Sequence, residues 1–362
     1  MRLTALAAAF LTVPLAGATP VSAQFYKDKT LTLLINYGAG GNADVEARVY
    51  QIHLKKFIPG APNIIIQHQP GAGGINAINM LGLNVGSKSD GMTLGYFTFS
   101  PTPWVSDDPS LRVKLTDFVA VGASRSWAVA YARKDTAPGL ARPADIAKAT
   151  KVFVGGYARP TLHDTRLRMT FELLNVPYTM VTGFQSTAVV NKAMLQNEIN
   201  VSGSSLPGYQ TQAVPQLIDT GVAIPLFQYP VMDGAGRPVG NPQLESQGLQ
   251  RFDVVYEQAM GKPPSGPKWE AMLLMNNLGS QMQRLMVLPK GSPMEAAEAL
   301  RQAFQDVAKD PAFATDYFNV TKEKPDIRRA EDVQHMIEQL YKVDPAIKQV
   351  VKDSIAEKPG EK

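Results

Sequence analysis

The sequence predicts an α/β fold in two parts. Short apolar runs alternate with segments of helical period, the pattern of strand–helix–strand units. The chain has 362 residues, enough for two domains of about 100–200 residues each. Glycine-rich turns recur where an apolar run gives way to a helix.

Residues 31–37 (LTLLINY) form an apolar run that ends in glycines, so a buried strand is expected there. A helix follows over 43–57, with Val45, Val49 and Ile52 as its apolar stripe. Residues 63–68 (NIIIQH) give a second strand, 74–83 a short helix, and 93–99 a third strand stopped by Pro101 and Pro103. Further strands are expected at 118–121, 127–131 and 151–154. A helix over 161–174 then carries Leu167, Phe171 and Leu174 on one face. Residues 178–181, 187–198 and 199–202 repeat strand, helix and strand, and 222–228 closes the run. Between 230 and 276 the periodicity fails among dense Gly, Pro and Gln, which reads as a long, partly helical excursion. A strand at 284–288 and a helix from Pro293 follow. Ser292 and Glu295 stand at capping-box spacing, and Leu300, Phe304 and Val307 make the stripe. A last helix spans 330–341, and the polar chain after Asp353 is expected to fray. Helices between strands imply parallel sheets.

Composition removes several chemistries. Without a cysteine there is no thiol nucleophile, no cysteine–zinc site and no iron–sulfur cluster. His53, His68, His163 and His335 never fall at metal-ligand spacing, so no metal is expected. The net charge is +4, but the charges are interspersed without a basic block, which argues against nucleic acid as a partner. Residues 1–23 carry Arg2, an apolar stretch and a small-residue site at Val21-Ser22-Ala23, the order of an export signal. Cleavage is expected after Ala23, leaving a chain in the periplasm. The apolar stretch is shorter than the about 20 residues a membrane span needs, and no later segment is apolar for long enough.

Two glycine turns carry the functional reading. The first, Gly38-Ala39-Gly40-Gly41-Asn42-Ala43-Asp44, and the second, Pro70-Gly71-Ala72-Gly73-Gly74, each join an expected strand to an expected helix. Glycine admits positive φ and close approach of a ligand to the backbone, and a helix N-terminus offers unpaired N–H groups to an anion. Two such turns at the C-terminal ends of strands in one sheet would face one crevice. Gly38-x-Gly40-x-x-Ala43 also matches a dinucleotide fingerprint. That motif needs an acid about 20 residues on, and no Asp or Glu occurs from Ala47 to Ser89. No Walker loop and no G-x-S-x-G elbow occurs either, and no cofactor is expected. Asp44 reads either as an acid favoured by the helix dipole or as a polar group facing the crevice.

The middle of the chain adds further polar turns after expected strands. In Gly155-Gly156-Tyr157-Ala158-Arg159-Pro160-Thr161, Arg159 suits bidentate binding of a carboxylate and Thr161 offers a hydroxyl. Arg166 and Arg168, farther along that helix, are expected to be solvated or salt-bridged. The turns Gly183-Phe184-Gln185-Ser186-Thr187 and Ser202-Gly203-Ser204-Ser205 complete the set.

These motifs resemble the extracytoplasmic solute receptors of tripartite tricarboxylate transporters, the Bug receptor family. The resemblance lies in the export signal, the turn from Tyr37 to Asp44, and the x-P-G-A-G-G turn from Gln69 to Gly74. It continues through Asp90-Gly91-Met92-Thr93-Leu94, Leu288-Pro289-Lys290-Gly291-Ser292-Pro293 and Asp310-Pro311-Ala312-Phe313. It implies a type II periplasmic-binding-protein fold, two α/β lobes with helix-flanked sheets joined by two hinge crossovers. The lobes would be 24–123 plus 229–330, and 124–228, followed by a C-terminal helix and frayed tail over 331–362. It also implies a small mono-, di- or tricarboxylate in the cleft. Ala39, Gly40, Gly41, Asp44, Ala72, Gly73 and Gly74 would hold one carboxylate, beside Tyr37 and Asn42. Tyr157, Arg159, Thr161, Gly183, Phe184, Gln185 and Ser204 would face them from the second lobe. The partner would be a transporter with a small and a large membrane subunit, and the receptor a monomer.

The expected function is therefore capture and delivery rather than catalysis, because the turns offer donors without an acid–base constellation. A receptor reporting to a signalling partner reads the same way. A hydrolase or lyase on this scaffold would need a base near the turns, and His68 is the residue placed for it, although a lone histidine at a strand end is more often structural.

Overall fold

The structure, a computed structural model, describes residues 25–86 and 88–356. The export segment with its cleavage site, and the tail beyond residue 356, lie outside the described residues.

Thirteen strands among the described residues make two main sheets and a small hairpin. They are β1 (Thr30–Ile35), β2 (Asn63–His68), β3 (Thr93–Thr98), β4 (Phe118–Ser124), β5 (Ala128–Arg133), β6 (Val152–Gly155) and β7 (Tyr178–Val181). Then come β8 (Val201–Ser205), β9 (Ala223–Gln228), β10 (Val231–Met232), β11 (Pro238–Val239), β12 (Arg284–Pro289) and β13 (Ile327–Arg329). The first sheet runs β13-β4-β12-β3-β1-β2 and the second β7-β6-β8-β5-β9. The chain leaves the first sheet after β4, builds the whole second sheet, and rejoins the first at β12. Pairs β1–β2, β1–β3, β6–β7 and β6–β8 are parallel, with helices in the intervening chain as parallel crossovers require. The α/β class holds, while the sheets are mixed rather than wholly parallel. β12 and β5, which receive the chain as it changes sheet, run against both neighbours.

The first helix, Asn42–Phe57, buries Val49 of its expected stripe but is rotated away from the rest of it. Val45 and Ile52 are 36% and 62% exposed, whereas Ala43, Ala47, Tyr50 and Leu54 are buried with Val49. Tyr50 decides the rotation. Its ring packs with Tyr96, Phe304, Phe313 and Tyr317, an aromatic cluster between helix and sheet that a valine stripe could not fill. Ser292 is not a cap. Its hydroxyl donates to the Pro289 carbonyl at 2.8 Å, and the helix starts at Met294 after Pro293. The helix at 330–341 is not the last one, because a further helix, Pro345–Ile355, begins at Asp344 and runs just past Asp353. The Asp344 side chain accepts from the Ala346 N–H at 2.7 Å, and Ser354 Oγ reaches Glu172 Oε2 at 3.1 Å. The excursion resolves into the β10–β11 hairpin and the helices Pro242–Ser246, Phe252–Met260 and Pro267–Gln281.

One ion pair ties the first helix to the returning strand. Arg284 Nη2, at the start of β12, donates to Glu46 Oε1 at 2.5 Å, with both side chains 3% exposed. Tyr317 O–H donates to Glu46 Oε2 at 3.3 Å, and Arg284 Nη1 to Thr98 Oγ1 at 3.1 Å. Burial opposes the Arg284 charge, but the Glu46 carboxylate outweighs it and holds the guanidinium above its ordinary range. Glu46→Ala is expected to cost about 3–5 kcal/mol by leaving a buried guanidinium without its counter-charge. Glu46→Leu with Arg284→Met should recover most of that loss in urea unfolding. A double variant no more stable than Glu46→Ala would contradict this account of the pair.

Candidate functional site

The first glycine turn is shaped by Asp44. Gly40 takes φ +76°, and its N–H donates to Asp44 Oδ2 at 2.9 Å. Arg48 Nε lies 3.2 Å from the same oxygen, and His68 Nε2 lies 3.0 Å from Asp44 Oδ1. Burial pushes this carboxyl up, but the Gly40 N–H, Arg48 and His68 together hold it below its ordinary value. Asp44 therefore folds the turn and does not line the cleft, and the Gly40 N–H is already used. Ala39 and Gly40 sit on the exposed outside of the turn, while Tyr37, Gly38, Gly41 and Asn42 face inward.

The second turn closes the cleft from the side. Ala72, Gly73 and Gly74 have φ of +49°, +64° and +97°. The Gly74 N–H donates to the Gly71 carbonyl at 2.9 Å, and Tyr37 O–H donates to the Gly73 carbonyl at 3.2 Å. A Cβ on Gly73 would lie 3.0 Å from Thr161 Cγ2 and 3.4 Å from Ala158 Cβ. Gly73 thus abuts the turn at 158–161, Gly74 packs on Asn36 and Ala72 is exposed, and none of the three lines the cleft. Ser100 Oγ donates to the Pro160 carbonyl at 2.9 Å, and Gln212 Nε2 donates to Asn42 Oδ1 at 2.9 Å. The elements of the two sheets meet at these points.

The facing wall is built from helix starts. Thr161 caps the Leu162–Leu173 helix, and Ser186 caps Thr187–Leu195. Buried Asp164 accepts the Tyr157 N–H at 2.8 Å, and His163 Nδ1 lies 3.0 Å from the same oxygen. His163 Nε2 meets the Gly203 carbonyl at 3.0 Å, so its ring is held on both sides. A hydroxyl row follows, with Tyr157 Oη 3.1 Å from Thr187 Oγ1, itself 3.3 Å from Ser204 Oγ. Burial pushes the Tyr157 phenol up to about 12, so it is neutral at pH 7.

Between these walls lies a cleft of about 810 Å³, part of it open to solvent. Of the residues expected from sequence, Tyr37, Gly41, Asn42, Tyr157, Thr161, Gln185 and Ser204 line it. Gly183 and Phe184 do not. Their N–H groups donate to the Tyr157 and Gly156 carbonyls, and the Phe184 ring packs against the apolar core beside the second sheet. Arg159 is half-buried in its turn and also lies off the lining. Sequence reasoning missed Thr98, Ser100, His163, Ser186, Thr187, Gln283, Arg284 and above all Arg166. The Ser-Thr pair was legible in the turn around Gln185. The two arginines were not, since neither stands in a turn.

Arg166 is neither solvated nor salt-bridged. It is 6% exposed, lines the cleft, and donates from Nη1 to Asn276 Oδ1 at 2.8 Å. Burial brings its guanidinium down to about 10, still charged at pH 7. Among the described residues the lining contains no Asp and no Glu. Also among the described residues, no group of three His, Asp or Glu comes together to hold a metal. No helix among them is long and apolar enough to cross a membrane.

Solved structures share this two-sheet arrangement. The periplasmic binding protein BugD superposes with a TM-score of 0.65 at 16% identity, over 91% of this chain and 98% of its own. The fold is that of a periplasmic binding protein. MatC from Rhodopseudomonas palustris, with malate bound, gives 0.63 at 16% identity over 91% and 99% of the two chains. A further R. palustris protein, with adipate bound, gives 0.62 at 13% identity over 89% and 97%. No protein-family model and no curated protein matches the sequence. The resemblance in the glycine turns and the likeness in fold point the same way.

Asp44→Ala removes the acceptor shared by Gly40, Arg48 and His68, at an expected cost of about 1–3 kcal/mol at pH 7. The folded carboxyl lies below its ordinary 3.8. Its contribution is therefore complete above that pH and is lost only as the pH falls through the folded value. In urea unfolding the gap between wild type and variant should hold steady from about pH 5 to 8 and close below about pH 4. A gap that widened on acidification would contradict the assignment.

Proposed function

We propose that this chain is a periplasmic solute-binding protein that captures a small organic carboxylate in its cleft and delivers it to a tripartite membrane transporter. The observation that carries the reading is the chemistry of the lining. It offers hydroxyl, amide and guanidinium donors without a single carboxylate among the described residues. Such a surface repels nothing anionic and leaves a cation without a partner. Malate and adipate in the fold neighbours support the same class of guest. The export pattern of residues 1–23 supports the periplasmic address.

On this reading Tyr37, Gly41, Asn42, Tyr157, Thr161, Gln185 and Ser204 are the ligand contacts. Ala39, Gly40, Asp44, Ala72, Gly73 and Gly74 shape and close the pocket around them. The moving units are 24–123 with 229–330, and 124–228, hinged where the chain changes sheet. Both histidines weighed for a base are engaged elsewhere. His163 is held by Asp164 and a carbonyl, and His68 sits outside the lining against Asp44. The protein works as a monomer beside the small and large membrane subunits of its transporter.

Calorimetric titration with malate, adipate, succinate, citrate, benzoate and glutamate tests the reading. Saturable one-site binding by at least one acid is expected, with a rise in Tm that follows ligand concentration. A neutral sugar should give neither response. The absence of saturable binding by every acid would sink the carboxylate reading.

A further inference from the structure

We infer that Arg166 is the anion anchor of the cleft, pairing with one carboxylate of the ligand and setting the preference for an ionised acid over its neutral amide. The inference deepens the carboxylate reading and rests on it.

Three side chains able to carry a positive charge line the cleft among the described residues: His163, Arg166 and Arg284. Arg284 is matched by Glu46 at 2.5 Å, and His163 by Asp164 at 3.0 Å. Arg166 has no carboxylate within 4.0 Å among the described residues, and its one hydrogen bond is to a neutral amide. A guanidinium carries five N–H donors in a planar fork, and here the protein engages it at Nη1 alone. Removing such a charge from water costs several kcal/mol unless an opposite charge repays it. The protein spends that cost at the wall of its cleft, where a guest carboxylate meets the fork in the bidentate geometry both groups favour.

The guanidinium is also held for the purpose. Its plane lies over the Tyr229 ring at 5.1 Å, and Tyr229 Oη lies 3.0 Å from Thr170 Oγ1 on the same helix as Arg166. Asn276 is 1% exposed, and its Nδ2 donates to the Pro230 carbonyl at 2.5 Å. That bond fixes which end of the amide faces Arg166. Tyr229 and Pro230 stand where the chain leaves the second sheet, and Asn276 lies on the Pro267–Gln281 helix. The excursion whose periodicity fails in sequence thus supplies, at its end, the amide that orients the fork. The rest of the lining is neutral apart from the two compensated side chains, so any second acidic group of a ligand meets hydroxyls and amides rather than another free cation.

The test uses the exported chain and compares wild type with Arg166→Gln and Arg166→Lys. Probes are malate, adipate, succinate and benzoate, each beside its neutral amide (the diamide for the diacids). Wild type is expected to prefer the acid to the amide, and Arg166→Gln to lose about 100-fold in affinity for the acid. Its affinity for the amide should stay within about threefold, so that the preference collapses. Arg166→Lys should fall between, because an ammonium keeps the charge without the fork. The ligand-free Tm of Arg166→Gln should not fall, since the charge it removes has no counter-charge in the protein. Equal weakening of acid and amide, or a ligand-free Tm several degrees lower, would assign Arg166 a structural role and overturn the inference. Arg166→Gln binding the acid as tightly as wild type would also overturn it, with the carboxylate reading intact. Wild type binding none of the acids would bring down that reading and this inference together.

Discussion

The Glu46–Arg284 pair is the constraint on which the rest of the cleft depends. Glu46 lies one helical turn beyond the first glycine turn, and Arg284 opens the strand by which the chain returns to the first sheet. Nearly water-free and 2.5 Å apart, the pair fixes the helix against the sheet and so fixes where the turn presents Gly41 and Asn42. It also neutralises a guanidinium that forms part of the cleft wall. Without that neutralisation the cleft would hold two free cations and favour a different class of guest. Stability and selectivity therefore share one interaction, and the glycine turn is only as well placed as the helix behind it.

The parts of the fold legible in sequence were those written locally. Residues 63–68 and 178–181 are strands as expected, because each is a short apolar or alternating run bounded by turn residues. The face of the first helix was misread for a physical reason. Valine and isoleucine score as more apolar than alanine, yet the space above the sheet calls for one large ring, Tyr50, flanked by the small residues Ala43 and Ala47. The last helix was announced by Asp344-Pro345, a cap followed by proline at the first position, but it is short and lies beside a polar tail. The reversal of β5 and β12 has no local signature at all, since it follows from where the chain changes sheet.

The site divides along the same line. Turn residues such as Asn42, Tyr157 and Ser204 could be found because a polar turn after a strand is a local pattern. Arg166 could not, because the Leu162–Leu173 helix is buried from Leu162 through Phe171. A helix packed on every side has no polar face, so periodicity gives no direction for any of its side chains. Only tertiary packing tells Arg166 from Arg168, which is wholly buried and off the lining. The loop amides suffered the opposite fate. They looked free in sequence, yet Asp44 claims Gly40 and the Gly71 carbonyl claims Gly74.

These observations bear on how the cleft closes. At the rim of the cleft the two sides meet through small and polar groups: Gly73 against Thr161 and Ala158, Ser100 on the Pro160 carbonyl, Gln212 on Asn42. Each hydrogen bond of this kind contributes about 1 kcal/mol net, since water serves the same groups when the cleft is open. An apolar cluster also runs behind the cleft, with Phe97, Phe99 and Leu285 of the first-sheet side and Val154, Leu162 and Leu226 of the second in one core. An ion pair formed inside the cleft is different in kind, because Arg166 is buried without a carboxylate partner among the described residues and a guest carboxylate would repay its desolvation. On the proposed reading, a ligand drives closure only by the difference between its affinities for the closed and open forms. An ion pair to Arg166 supplies such a difference where its geometry is completed only when the two sides meet.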